Sequence, residues 1–194
     1  MKTYISIIRG INVSGKNLIK MKSLHELYVG LGFEQVTTFI QSGNVVFRNQ
    51  EMMTEELEQL ISDEITKQFN LVAPVFVREL ADFEIIIAQN PFCEICKEDE
   101  GNSLAYLYIT FLAQTPVKIL LEAIELYSFL PDQFIIKGRE VYLFCPGGYG
   151  KTKLNNTFFE TKLKVKATTR NLRTLTSLVK IARQTESESA DSGN

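Results

Sequence analysis

Apolar residues along this chain alternate between two spacings, every second position and every third or fourth, and the changes of spacing mark out its elements. Tyr4-Ile5-Ser6-Ile7-Ile8 predicts a strand ended by Gly10, after which comes a Gly/Asn/Lys loop. Met21, Leu24, Leu27, Tyr28 and Leu31 then recur at helical spacing, with Gly30 and Gly32 at the exit. Val36 to Ile40 and Val45 to Phe47 are two short β-rich runs around Gln41-Ser42-Gly43-Asn44, the pattern of a hairpin. Thr54 is the expected N-cap of a second helix, with Glu55 and Glu56 in its first turn and Leu57, Ile61, Ile65 and Phe69 on one face. Pro74 to Val77 supplies a fourth strand, so the order is β-α-β-β-α-β.

Leu80 to Ala88 reads as a connecting helix that stops before Asn90-Pro91, because a residue preceding proline avoids the helical region. Residues 94–103 are acidic and polar, as in a surface loop. The first order then returns. Ala105, Leu107, Ile109 and Phe111 alternate with Tyr106, Tyr108 and Thr110, and Thr115-Pro116 opens a helix through Tyr127 with proline at its favoured first position. Phe134 to Ile136 and Val141 to Phe144 form a second hairpin around Gly138-Arg139. Leu154, Phe158 and Leu163 mark another helix, Val165 to Thr169 an extended stretch, and Leu172, Leu175, Leu178 and Val179 the apolar face of a last helix.

The fold class that follows is α+β: two tandem ferredoxin-like β-α-β-β-α-β halves with an extra C-terminal helix. The expected division is a first half over 1–79, a helical and acidic connector over 80–103, a second half with the last helix over 104–183, and a disordered polar tail over 184–194. The repeat is one of element order, without residue-by-residue similarity. In the second hairpin Val141 and Leu143 face away from Tyr142 and Phe144, yet both sets are apolar. A sheet covered on one side only would read polar on the other. Either the second faces are buried too, which is the reading adopted, or an aromatic surface is presented to a ligand.

Net charge is −2, but it is unevenly spread. Residues 1–50 carry +4, residues 51–136 carry −12, residues 137–183 carry +9 and the last eleven −3. Two basic segments flanking an acidic one are either differing solvated faces or the walls of an anion site. The most apolar stretches, such as Leu104 to Leu112, fall far short of the ~20 residues of a membrane-spanning helix. Met1-Lys2-Thr3-Tyr4 leads into alternation rather than a signal core, and three cysteines do not make a secreted disulfide framework. A cytoplasmic protein with no membrane partner is the expectation.

Three strings carry candidate chemistry. Arg9-Gly10-Ile11-Asn12-Val13-Ser14-Gly15-Lys16-Asn17 follows a strand, and glycines with positive φ can aim backbone N–H groups into a nest for an anion, with Arg9, Lys16 and Lys20 supplying charge. The plainer reading is a β-to-α loop with turning glycines. Cys145-Pro146-Gly147-Gly148-Tyr149-Gly150-Lys151-Thr152 ends like a phosphate-binding Walker loop, but Cys145 or Pro146 stands where that loop needs glycine, and its strand is the second arm of a hairpin. A looser glycine turn with Lys151 and Lys153 is retained as an anion site. In Ala167-Thr168-Thr169-Arg170-Asn171, Thr169 or Asn171 could cap the final helix, and Arg170 beside its N-terminus could hold a phosphate or carboxylate.

Cysteine and histidine chemistry is thin. Cys93-Glu94-Ile95-Cys96 is a C-x-x-C beside Glu98, Asp99 and Glu100, and negative neighbours raise thiol pKa, the opposite of what a redox dithiol needs. A zinc site would have to recruit Cys145 and His25, the only histidine, from distant segments, so no metal is expected. A Ser-His-Asp or Cys-His engine is excluded by the same scarcity. Glu140 and Glu160 could act as acid or base, but their spacing does not select them.

Six strings line up in order and spacing with one family: Arg9-Gly10-Ile11-Asn12-Val13, Ile40-Gln41-Ser42-Gly43-Asn44-Val45-Val46-Phe47, Asn90-Pro91-Phe92, Gly138-Arg139-Glu140-Val141-Tyr142-Leu143, Gly148-Tyr149-Gly150-Lys151-Thr152-Lys153-Leu154 and Ala167-Thr168-Thr169-Arg170-Asn171. Together they resemble the bacterial family catalogued as domain of unknown function 1697, over about Thr3 to Val179. The resemblance implies two ferredoxin-like halves and brings no activity or cofactor with it. The chain departs from it at Ser14, where glycine is usual, and at Leu172, where an aromatic is usual.

The family's strings coincide with the polar loops. The functional expectation is therefore a cationic pocket for a phosphorylated small molecule, a nucleotide or sugar phosphate. Arg9, Lys16, Lys151, Lys153 and Arg170 would neutralise charge, Asn12, Asn44, Asn155 and Asn171 would orient the ligand, and Gly10, Gly43 and Gly150 would allow close backbone approach. A competing reading is single-stranded nucleic acid stacked on Tyr106, Tyr108, Tyr142 and Phe144. A third is a structural or protein-interaction module. Whether any reaction is catalysed is not selected by the sequence.

Overall fold

The computed structural model describes residues 1–13, 15–94 and 103–191. The chain divides into two compact units, Met1–Ile85 with Ser177–Asn194, and Ile86–Thr176.

In the first unit β1 (Lys2–Ile8), α1 (Met21–Gly30), β2 (Glu34–Phe39), β3 (Asn44–Asn49), α2 (Thr54–Phe69) and β4 (Val75–Glu79) follow one another, and the sheet runs β2-β3-β1-β4 with every neighbour antiparallel. Each β-α-β unit is therefore split by a strand of the other, the ferredoxin-like arrangement. Tyr4, Ile8, Val45, Phe47, Val75 and Val77 face α1 and α2, whose Leu24, Leu27, Tyr28, Leu57, Ile61 and Ile65 complete the core. Ser6 lies on that face too, its hydroxyl 2.6 Å from the buried Tyr28 hydroxyl. Ile5, Ile7, Val46 and Phe76 lie on the opposite face and are also buried.

The second unit repeats the order with β5 (Leu107–Leu112), α4 (Lys118–Glu125), β6 (Gln133–Lys137), β7 (Glu140–Phe144), α5 (Asn156–Leu163) and β8 (Ala167–Asn171), sheet order β6-β7-β5-β8. In chain order α3 (Leu80–Ala88) comes between β4 and β5, and α6 (Leu172–Asp191) follows β8. Leu112, Val141, Leu143, Leu154, Phe159 and Leu163 form the core of this unit. Ile109, Phe111 and Tyr142 are buried on the other face of its sheet. Phe92 covers Phe144 there at 6.2 Å, held by the Asn90 carboxamide oxygen, which accepts the Phe92 N–H. The Asn90-Pro91-Phe92 string is thus a local turn that delivers an aromatic to the sheet.

Several local expectations are corrected. Met53, not Thr54, is the N-cap of α2; Thr54 is the first helical residue and its hydroxyl donates to Glu55. Pro116 is not the first residue of α4, because Val117 is extended (φ −70°, ψ 146°) and the helix starts at Lys118. Gln184 to Asp191 are not an irregular tail, since α6 continues to Asp191 with Thr185 buried; residues 192–194 lie outside the described residues. Polar composition alone is a poor guide there, since Gln, Glu, Ser and Ala continue a helix already nucleated. Ser14 and the acidic loop around Cys96 lie outside the described residues.

Candidate functional site

The loop after β1 is held by asparagine side chains. The Asn12 amide donates to the Ile19 and Gln41 carbonyls, both at 2.9 Å, and its oxygen accepts the Ile19 N–H at 2.8 Å. Asn17 donates to the Gly10 carbonyl at 2.9 Å. Gly10 (φ 73°), Asn12 (φ 55°) and Asn17 (φ 53°) all take the left-handed conformation that glycine and asparagine tolerate. The hairpin turn meets this loop at Gly43, also at φ 73°, where an added Cβ would stand 2.7 Å from Ile11 Cδ1 and 3.0 Å from Ile8 Cβ. Close backbone approach at Gly43 is thus real, but its partner is the protein's own core. Asn44 is fully buried and its amide donates to Phe39 and Ser42.

Beside this loop a cleft of about 470 Å³ is lined by Asn12, Leu18, Ile19, Lys20, Met21 and Gln41. Arg9, Gly10 and Lys16 do not line it, and its one cation is Lys20. Asn12, Asn17, Asn44 and Gly43 thus have structural roles in this half.

In the second unit the loop after β7 is similarly tied. Cys145 N–H donates to Tyr106 O, Gly148 N–H to Cys145 O and Lys151 N–H to Gly148 O, so Tyr149–Lys151 forms a single 3-10 turn. These amides are spent on the turn, and α5 begins only at Asn156, so a phosphate-cradling Walker loop is not formed.

A hydroxyl network that the sequence did not reveal anchors Tyr149. Its OH donates to Thr169 Oγ1 at 3.0 Å, Thr110 Oγ1 lies 2.7 Å from the same oxygen, and Thr169 donates to Asn156 Oδ1 at 2.7 Å. Thr169 then accepts two bonds and donates one, which saturates a hydroxyl. Burial raises the pKa of Tyr149, against the Thr169 hydrogen bond.

Lys151 ends the 3-10 turn and Lys153 follows the extended Thr152 (φ −75°, ψ 150°). Both line a cleft of about 360 Å³ together with Ser128, Phe129, Leu130, Pro131 and Asp132. Two ammonium groups, one carboxylate and a hydroxyl leave a net charge of +1 on its walls. Sequence reasoning missed Ser128 and Asp132; only the turn-prone Leu130-Pro131-Asp132 marked that segment.

The other predicted residues of this half do other work. Asn155 caps α5 by accepting the Phe158 N–H at 3.0 Å. Asn171 caps α6 by accepting the Arg173 N–H at 2.9 Å, and its amide donates to Ala105 O. Arg170, on the face shared with Ile109 and half-buried, donates to Thr168 Oγ1 and Thr169 O. Burial pushes its pKa down to about 10, so it remains cationic at neutral pH. None of these three lines the lysine cleft, and neither does Gly150.

Of the aromatics named for nucleic-acid stacking, Tyr106, Tyr108 and Phe144 are half-buried and Tyr142 is buried. Tyr142 is 2% exposed, Phe144 is covered by Phe92, and Tyr108 packs inward against Tyr149 at 5.1 Å. Cys145 is buried and its thiol is raised to about 11, chiefly by burial. Among the described residues no group of three or more His, Cys, Asp and Glu side chains could hold a metal ion, and no helix is long and apolar enough to cross a membrane.

The fold defines an α+β protein of two ferredoxin-like halves, and the comparisons with known proteins agree. The profile of the family described as "Protein of unknown function (DUF1697)" matches residues 1–142, and the chain belongs to that family. Among solved structures it is similar to the conserved bacterial protein SP0830 from Streptococcus pneumoniae, at 21% identity, over 93% of this chain and 98% of that one, with a TM-score of 0.73. At that identity the likeness establishes the fold. No curated protein matches significantly.

Proposed function

We propose that this protein binds a small phosphate-bearing molecule, a nucleotide or a sugar phosphate, at the cleft of its second unit. The observation that carries the reading is that Lys151, Lys153 and Ser128 line one cleft of about 360 Å³. That volume is at the small end of ligand pockets, suited to one or two phosphates and a sugar or base. The lysines supply charge and Ser128 a directional hydrogen bond. Asp132 offers an acceptor for a ligand hydroxyl and disfavours a bare polyanion. The 3-10 turn and the Tyr149–Thr169 network fix the lysine backbone before a ligand arrives, which lowers the ordering cost of binding.

The test is a thermal-shift screen with nucleotides, sugar phosphates and pyrophosphate, on the native chain and on Lys151→Ala and Lys153→Ala. A ligand at 100 times its dissociation constant stabilises by about 2.7 kcal/mol, a rise of roughly 5–10 °C for a chain of this size. The expected result is a selective rise in the native chain, lost in both variants while their ligand-free Tm is unchanged. No rise with any small phosphate, or a rise that both variants keep, would contradict the proposal.

A further inference from the structure

The four outer strands of the two sheets are not treated alike. At β2 the edge is polar, carries a register shift between Glu34 and Thr37, and has Gln35 at φ 46°. At β4, Glu58 of the preceding helix accepts the Val77 N–H at 2.9 Å. At β8, Glu160 of the preceding helix accepts the Ala167 N–H at 3.0 Å. The two halves thus repeat one device, a glutamate from the second helix closing the last strand. Bulges, polar residues and covered N–H groups are how sheets avoid unwanted pairing. Among the described residues β6 has polar side chains only at its two ends, Gln133 and Lys137, and neither a register shift nor a glutamate on its outward N–H groups.

The pairing of β6 with β7 fixes which of its groups are open. Lys137 and Glu140 flank the two-residue turn Gly138-Arg139, with Gly138 at φ 60°, and so form a hydrogen-bonded pair. Ile135 and Gln133 share that orientation, which turns the N–H and C=O groups of Phe134 and Ile136 outward. Beside that edge lies a cleft of about 220 Å³ lined by Glu125, Tyr127, Phe134, Ile135 and Ile136. Leu126 is 87% exposed and Tyr127 41% at its rim, and Ile135 is 39% exposed on the strand itself.

We propose that β6 is a self-pairing edge, which joins β6 of a second copy of this chain antiparallel about a two-fold axis at Ile135. The strand is its own complement in that register. Phe134 then stands opposite Ile136 of the second copy, and Ile136 opposite its Phe134, so that the outward N–H and C=O groups of both strands meet as the two hydrogen-bonded pairs an antiparallel ladder requires. Ile135 meets Ile135 in the close, non-hydrogen-bonded position, where β-branched pairs stabilise a sheet. Lys137 falls opposite the uncharged Gln133, so no like charges are opposed. On the helix side Phe134 and Ile136 already pack against their own core, so the added contact there is backbone. The product is one eight-stranded sheet from two second units.

Sedimentation velocity from micromolar concentration to about 0.5 mM, a range that covers weak interfaces, tests this on the full chain. The expected result is a concentration-dependent monomer–dimer equilibrium. Ile136→Pro removes an outward N–H without touching the β6–β7 ladder, a position where edge strands tolerate proline. Ile135→Lys sets two cations against each other at the axis. Each should raise the dissociation constant by about tenfold or more, with the far-ultraviolet circular dichroism unchanged. In the native chain, amide exchange at Phe134 and Ile136 should slow as concentration rises, a readout independent of any variant's folding. A monomer throughout the range overturns the proposal. So does a dimer that Ile135→Lys leaves intact, or one in which the Phe134 and Ile136 amides gain no protection.

Discussion

Asn12 and Gly43 show how a residue that reads as a ligand contact in sequence can be wholly occupied by the fold. Asn12→Gly keeps the left-handed backbone and removes the three side-chain hydrogen bonds, and should cost about 2 kcal/mol, read as a Tm lower by roughly 4–8 °C for a chain of this size. Gly43→Ala adds a Cβ 2.7 Å from Ile11 Cδ1 in a fully packed corner, and should cost about 2 kcal/mol or more. Gly150→Ala is the contrast: nothing lies within 4 Å of the new atom, so stability should stay within about 0.5 kcal/mol of native. The tyrosines make a separate prediction in alkali. Burial raises the pKa of Tyr28 and Tyr149 and takes Tyr142 to about 12, so the folded chain holds those protons more tightly than the unfolded chain. The stability they contribute is complete below pH 10 and is lost as pH rises toward 12. A spectrophotometric titration should show these buried tyrosines ionising only well above pH 10, together with the loss of the fold.

At the scale of elements, the order of strands and helices was legible because each carries a clean period, and the corrections fall where period says nothing. Thr54 and Pro116 have the right chemistry to start helices, yet Met53 and Val117 occupy the N-cap positions with extended backbone. Asn155 and Asn171 illustrate the reverse confusion. Caps and ligand-binding groups draw on the same short polar side chains, so residue type could not separate the two roles, and the hydrogen bonds to Phe158 and Arg173 do. Ser128 and Asp132 were invisible as site residues because their closeness to Lys151 is set by how the α4–β6 and β7–α5 connections fold toward each other. The glutamates at the sheet edges were equally hidden, being helix residues that act on a strand. Glu58→Ala removes the acceptor of Val77 N–H and a partner of the buried Arg78 at 3.3 Å. It should destabilise by about 3 kcal/mol in chemical denaturation, and Glu160→Ala, which removes the acceptor of the Ala167 N–H, by at least about 1 kcal/mol.

Across the whole chain the charge is segregated, and residues 137–183 carry the net +9 that includes both cleft lysines. Exposed cations concentrate anions and do so less at high salt, so affinity for a small phosphate should weaken as salt is raised from low to physiological strength. Charge along the sequence suggested one pocket built from both basic segments, whereas Arg9 and Lys16 do not line the cleft beside the first loop and Lys151 and Lys153 line a cleft of their own. The most direct measurement is amide chemical-shift mapping of the full chain titrated with pyrophosphate and with a nucleoside diphosphate. Saturable perturbations concentrated at Ser128 to Asp132 and Lys151 to Lys153 are the predicted result. Perturbations confined to the first loop around Lys16 and Lys20, or none at concentrations where exposed lysines alone would not bind, would contradict the assignment of the cleft.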